Sequence, residues 1–77
     1  MDINLADITI HVDETLDESG QKQLESAFRE REGVVSVHHE NNRPHLFVLE
    51  YNPEKVSGRD LLSITHFQGL HGELVGL

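Results

Sequence analysis

Ile8-Thr9-Ile10-His11-Val12-Asp13-Glu14-Thr15-Leu16-Asp17-Glu18-Ser19-Gly20, continued through Leu24, Ala27 and Phe28 to Gly33, is the stretch whose reading decides the fold. Its first part alternates, with Ile8, Ile10 and Val12 in one phase and Asp7, Thr9 and His11 in the other. A period of two over that length marks a strand, Leu5 to Val12, with one buried face. After the acidic loop the period changes. Leu24, Ala27 and Phe28 fall on one side of a helix whose other positions carry Gln, Lys, Glu and Arg. Asp17 or Ser19 caps its start, it runs to about Glu32, and Gly33 is placed as the left-handed residue that ends it.

Working outward, Val34 to His39 is a short β-branched run with Val35 and Val37 in one phase. The turn formers Glu40-Asn41-Asn42-Arg43-Pro44 then lead into a strand from His45 to Tyr51, which predicts a hairpin. Phe47, Leu49 and Tyr51 share one face of that strand; Leu46, Val48 and Glu50 share the other. Asn52-Pro53 closes it, because proline holds its predecessor extended. Ser57-Gly58-Arg59-Asp60 is a capping-box variant opening a helix through Gln68 that buries Leu61 and Ile64. Gly69 ends that helix, and Leu70 to Leu77 forms a last strand with Gly72 and Leu74 inward. Strand, helix, strand, strand, helix, strand predicts an α+β ferredoxin-like βαββαβ sandwich: a four-stranded antiparallel sheet, order 4-1-3-2, with two helices on one face.

The 77 residues are read as one domain. A domain of this size buries only about 60% of its unfolded surface, so nearly every apolar residue is needed in one core. Fourteen acidic against six basic residues give a formal net charge of -8. That surface repels phosphate backbones and anionic lipid, so neither nucleic acid nor membrane is expected as a partner. There is no cysteine, which removes disulfides, thiolate ligands and thiol nucleophiles. Met1-Asp2-Ile3-Asn4 lacks the positive start and apolar run of a signal peptide, and no segment reaches the ~20 apolar residues that span a bilayer. A cytoplasmic setting is expected.

Gly33-Val34-Val35-Ser36-Val37, Phe47-Val48-Leu49-Glu50-Tyr51-Asn52-Pro53 and Gly69-Leu70-His71-Gly72-Glu73-Leu74-Val75 resemble the heavy-metal-associated domain, the family of copper chaperones and the metal-binding modules of metal-transporting ATPases. The likeness runs over roughly residues 7 to 76. It implies the same fold, and a metal site in a Met-x-Cys-x-x-Cys loop between the first strand and first helix. Counted back from Leu24 and Gly33, the methionine place falls on Thr15 and the cysteine places on Asp17 and Gly20. None matches, and a carboxylate with a glycine does not replace the soft thiolates that select Cu(I). Thr65 also departs from the aliphatic residue the family usually carries there.

With that fold imposed, His11, His38, His39, His45 and His71 gather at one edge of the sheet beside Asp13 and Glu14. His11 and His71 are expected opposite one another, ~4.5–5.5 Å apart at Cβ. A ligand set of His11, His45, His71 and Asp13 would suit Zn, Ni, Cu(II) or Co, although exposed strand-end histidines, each solvated or bonded to a nearby carboxylate, explain the cluster more simply. His38 and His39 are adjacent in a strand and point to opposite faces, so they do not act as a pair. His66 suits the C-terminal end of the second helix dipole. Asp13, Glu14, Asp17 and Glu18 are accounted for by the helix N-terminus, and they lack the regular spacing and mid-loop glycine of an EF-hand. No nucleophile elbow or phosphate loop appears, so no enzyme activity is expected. Leu46 and Val48, with Val75 and Leu77, point away from the helices and offer a partner or homodimer contact. Two roles fit: a non-catalytic interaction module that has lost the thiolate site and requires no cofactor, or a divalent-metal carrier or sensor using histidine and carboxylate ligands.

Overall fold

The computed structural model describes residues 4–40 and 42–75. The elements are β1 (Ala6–Val12), α1 (Glu18–Glu30), β2 (Val34–Glu40), β3 (Arg43–Tyr51), α2 (Gly58–Phe67) and β4 (Gly72–Leu74). The sheet order is β2-β3-β1-β4, with each neighbouring pair antiparallel. This is the expected ferredoxin-like arrangement, read from the opposite edge. No helix among the described residues is long and apolar enough to cross a membrane.

The inward phases of β1 and β3 build the floor of the core. Ile10, Val12, Phe47 and Leu49 are fully buried, and Leu24 and Phe28 of α1 with Val56 and Leu61 close over them. Phe28 and Phe47 meet as tilted rings with centroids 6.2 Å apart, a favoured aromatic geometry. Truncating a ring held on all sides like this typically costs 3–5 kcal/mol, on the order of a small domain's whole stability.

Several elements differ from the sequence reading. The helix α1 stops at Glu30, where Arg31 is already extended, so Gly33 serves the turn into β2 rather than the helix end itself. In β2 the register shifts between Val34 and Ser36, and Val35 is the residue left over. Val34 and Val37 therefore face the core while Val35 is 56% exposed. A bulge reverses the phase of everything before it, which simple alternation does not reveal. The last strand is shorter than Leu70 to Leu77. Leu70 instead packs against the core from the preceding turn, Leu74 is inward in register opposite Ile10 but exposed at the sheet edge, and Leu77 lies outside the described residues.

The hairpin is tighter than expected, because Arg43 and Pro44 belong to β3 and Arg43 pairs with Glu40. Pro44 lies where the β2–β3 ladder is irregular and beyond the last β1 pair at Leu46, so its missing N–H costs no ladder bond there. On α2 the capping box is complete: the Asp60 N–H donates to Ser57 Oγ at 3.0 Å and the Ser57 N–H to Asp60 Oδ2 at 3.1 Å. Thr65 is fully buried, and its hydroxyl donates to the Leu62 carbonyl at 2.6 Å.

Candidate functional site

The β1–α1 loop is closed by its own backbone. Asp17 is the N-cap of α1, and its carboxylate accepts the Gly20 N–H at 2.7 Å. The residues in the two cysteine places are thus bonded to one another in an ordinary cap, while Thr15 is exposed. The loop holds no thiolate or thioether, so the residues present do not fit a soft monovalent copper ion.

Glu14 ties this loop to the turn before β4. Its carboxylate accepts the His71 backbone N–H at 2.8 Å and also pairs with His71 Nδ1. The Asp13 N–H donates to the His71 carbonyl at 2.8 Å, so both loops are held together by backbone as well as side chain. The His71 backbone N–H, followed by its ring, pulls the Glu14 carboxyl down to about 2. The same carboxylate raises the His71 imidazole above its usual 6.5. His71 is therefore an ion-pair partner of Glu14 and does not stand opposite His11.

Glu73 stands opposite His11 instead, as its direct cross-strand partner between β1 and β4. His11 Nδ1 lies 3.2 Å from Asp13 Oδ1 and 4.0 Å from Glu73 Oε1. Donor atoms of all three lie within 4.8 Å of one another. Of the four residues singled out from the sequence, the structure brings His11 and Asp13 into one cluster. His45 stands beside it, its ring stacked on His11 at 5.7 Å and 23°. The His45 Nδ1 is 2.8 Å from the Val12 carbonyl, which can only accept, so Nδ1 carries a proton there. Glu73 was legible only as an outward-phase residue of the last strand. Placing it opposite His11 required knowing that the strand begins at Gly72 rather than Leu70.

The other histidines separate. His38 faces outward across from Val48. His39 turns to the helix side, where Nδ1 lies 2.7 Å from Glu25 Oε1 and its ring meets Phe47 at 5.6 Å. His66 is exposed in the last turn of α2.

No described residue covers the sheet face opposite the helices. Val48 is 39% exposed there, and Leu46 is half-buried. With Thr9, His38 and Arg43 they line a depression of about 110 Å³. Val75 is also exposed, its N–H bonded to the Thr9 carbonyl at 2.9 Å. Acids edge this face: Asp7 and Glu50 are directly opposed in the β1–β3 register, and the Asp13–Glu73 pair lies beyond Leu46 and His11.

No protein-family model matches the sequence, and no curated protein matches it. Solved structures do. Oxidised MerP from Ralstonia metallidurans CH34 superposes with a TM-score of 0.84 at 18% identity, covering 95% of this chain and 100% of that one. The N-terminal domain of a potential copper-translocating P-type ATPase from Bacillus subtilis, in its Cu(I)-loaded state, gives 0.84 at 19% identity over 95% of this chain and 90% of that one. A copper-binding domain from HMA7, a P-type ATPase, gives 0.82 at 16% identity over 91% and 93%. The fold is that of the heavy-metal-associated domains, carried on a chain without cysteine.

Proposed function

We propose that this domain is a non-catalytic module that binds a protein partner on the outer face of its sheet and has given up the thiolate metal site of its fold. The observation that carries this reading is the depression between Leu46, Val48 and Arg43 on a face that the protein's own helices leave bare. Its volume, about 110 Å³, and its Leu46 and Val48 walls suit one aliphatic side chain. The capped loop supports the loss of thiolate chemistry, because Asp17 and Gly20 already satisfy each other.

Charge selects the kind of partner. A second copy would bring another net charge of -8 against this one, and the acids that edge the face would meet acids. The fitting occupant is a segment of another protein with an aliphatic side chain flanked by Lys or Arg. A random-peptide display selection on the intact domain tests this. Enriched peptides should carry a basic-aliphatic-basic pattern and should lose binding to Val48→Glu. Enriched peptides that bind Val48→Glu as well as the wild type, or no enrichment at all, would remove the outer face as the site.

A further inference from the structure

We infer that His11, Asp13 and Glu73 form a binding site for a divalent transition metal ion of the zinc type, placed at the β1–β4 edge and separate from the loop that carries metal chemistry in similar folds.

Backbone pairing puts the donors where they are. His11 and Glu73 are register partners on adjacent strands, so their side chains leave the same face at a fixed spacing. Asp13 follows β1 directly, and its own N–H is held by the His71 carbonyl at 2.8 Å. Metal–ligand bonds of about 2.0–2.2 Å in a tetrahedron place donor atoms about 3.4 Å apart. The observed separations are 3.2 Å and 4.0 Å from His11 Nδ1, with all three donors within 4.8 Å. Closing the set requires rotation of exposed side chains by about an ångström and no movement of the strands.

The donor chemistry narrows the ion. One imidazole with two carboxylates is a mixed nitrogen–oxygen set, which suits Zn, Co, Ni or Cu(II); soft Cu(I) prefers sulfur, and Mg or Ca prefers oxygen alone. Two carboxylates with a neutral imidazole carry the charge that one divalent ion cancels. The side chains are 39%, 56% and 69% exposed for His11, Asp13 and Glu73, so the fourth position is open to water. His45, stacked on His11 and fixed by Val12, limits the swing of the His11 ring from one side.

Zinc titration of the intact domain by calorimetry and histidine-selective NMR tests the site, with Glu73→Gln, His11→Ala and His66→Ala as variants. The wild type should bind one equivalent, with ring shifts centred on His11. Glu73→Gln, nearly isosteric and on the surface, should weaken binding about tenfold or more; His11→Ala should abolish it. His66→Ala should bind like the wild type, and excess magnesium should not displace the zinc. Equal affinity in Glu73→Gln, shifts spread evenly over the histidines, displacement by magnesium, or no saturable binding up to millimolar zinc would each overturn the site.

Discussion

At Gly33 the backbone turns through φ +100°, and a Cβ there would lie 2.9 Å from both Lys55 Cβ and Val56 Cγ1. Two independent costs thus meet at one residue, a left-handed conformation and a collision with the β3–α2 turn. Its carbonyl also accepts the Asn52 N–H at 2.7 Å, so the residue fastens the start of β2 to the end of β3. Gly33→Ala should destabilise the domain by on the order of 1–3 kcal/mol, read as a lower urea midpoint with an unchanged slope. A midpoint equal to the wild type would mean that the turn readjusts freely. A second pair of residues shows the same logic of close approach. A Cβ on Gly72 would stand 2.7 Å from Thr65 Oγ1, so the absence of a side chain in β4 makes room for the threonine in α2. Thr65 is fully buried without leaving its hydroxyl unsatisfied, since that group bonds within its own helix.

Among the elements, α2 shows how far local sequence carries structure. Ser57, Asp60 and Gly69 were legible as start and stop because capping is chemistry between residues three apart, and both caps are present, with Gly69 at φ +78°. The box also gives the helix a pH dependence. The Ser57 backbone N–H, then its hydroxyl contact, with Arg31 nearby, lowers the Asp60 carboxyl below its usual 3.8. A carboxyl depressed in the folded state contributes stability that is present above its unfolded value and lost as pH falls through the folded one. The stability difference between wild type and Asp60→Asn should therefore be constant above about pH 5 and shrink below 3.8, checked by urea melts at a series of pH values. A difference that does not change with pH would show that the charge on Asp60 is immaterial to the cap. The sheet was legible only where pairing is regular. Ile10, Val12, Phe47 and Leu49 could be assigned inward from alternation, but Val35 could not, because a bulge is a relation between two strands and leaves no mark in either one. The candidate metal cluster divides the same way. His11 and Asp13 are near neighbours in sequence and legible together; Glu73 arrives by register alone, 62 positions after its partner His11.

For the whole molecule the governing quantity is the formal net charge of -8 carried on a body with principal extents of 40 × 23 × 19 Å. At roughly 0.01 M salt the screening length is about 30 Å, so most carboxylates feel most others across the entire domain; at 0.15 M it is about 8 Å, and only near neighbours interact. Local pairs oppose this repulsion: Lys22 with Glu18, Arg29 with Glu25, Arg31 with Asp60 and Lys55 with Glu32. Their N···O separations are 3.6–3.8 Å, and apart from the largely buried Glu25 the partners are exposed, where such pairs contribute about 0–1 kcal/mol each and weaken with salt as well. Six basic residues cannot pair more than six of fourteen acids, so at least eight carboxylates remain without a Lys or Arg of their own. The repulsive sum therefore outweighs the attractive one, and folding concentrates it by bringing the acids closer than in the expanded chain. Raising sodium chloride from roughly 0.01 M to 0.15 M should move the urea midpoint upward at pH 7, with little further gain beyond the point where the screening length falls below the spacing between carboxylates. Potassium chloride should act identically, since the effect is one of ionic strength. A midpoint that falls with salt would mean instead that the four ion pairs dominate the electrostatics of the fold.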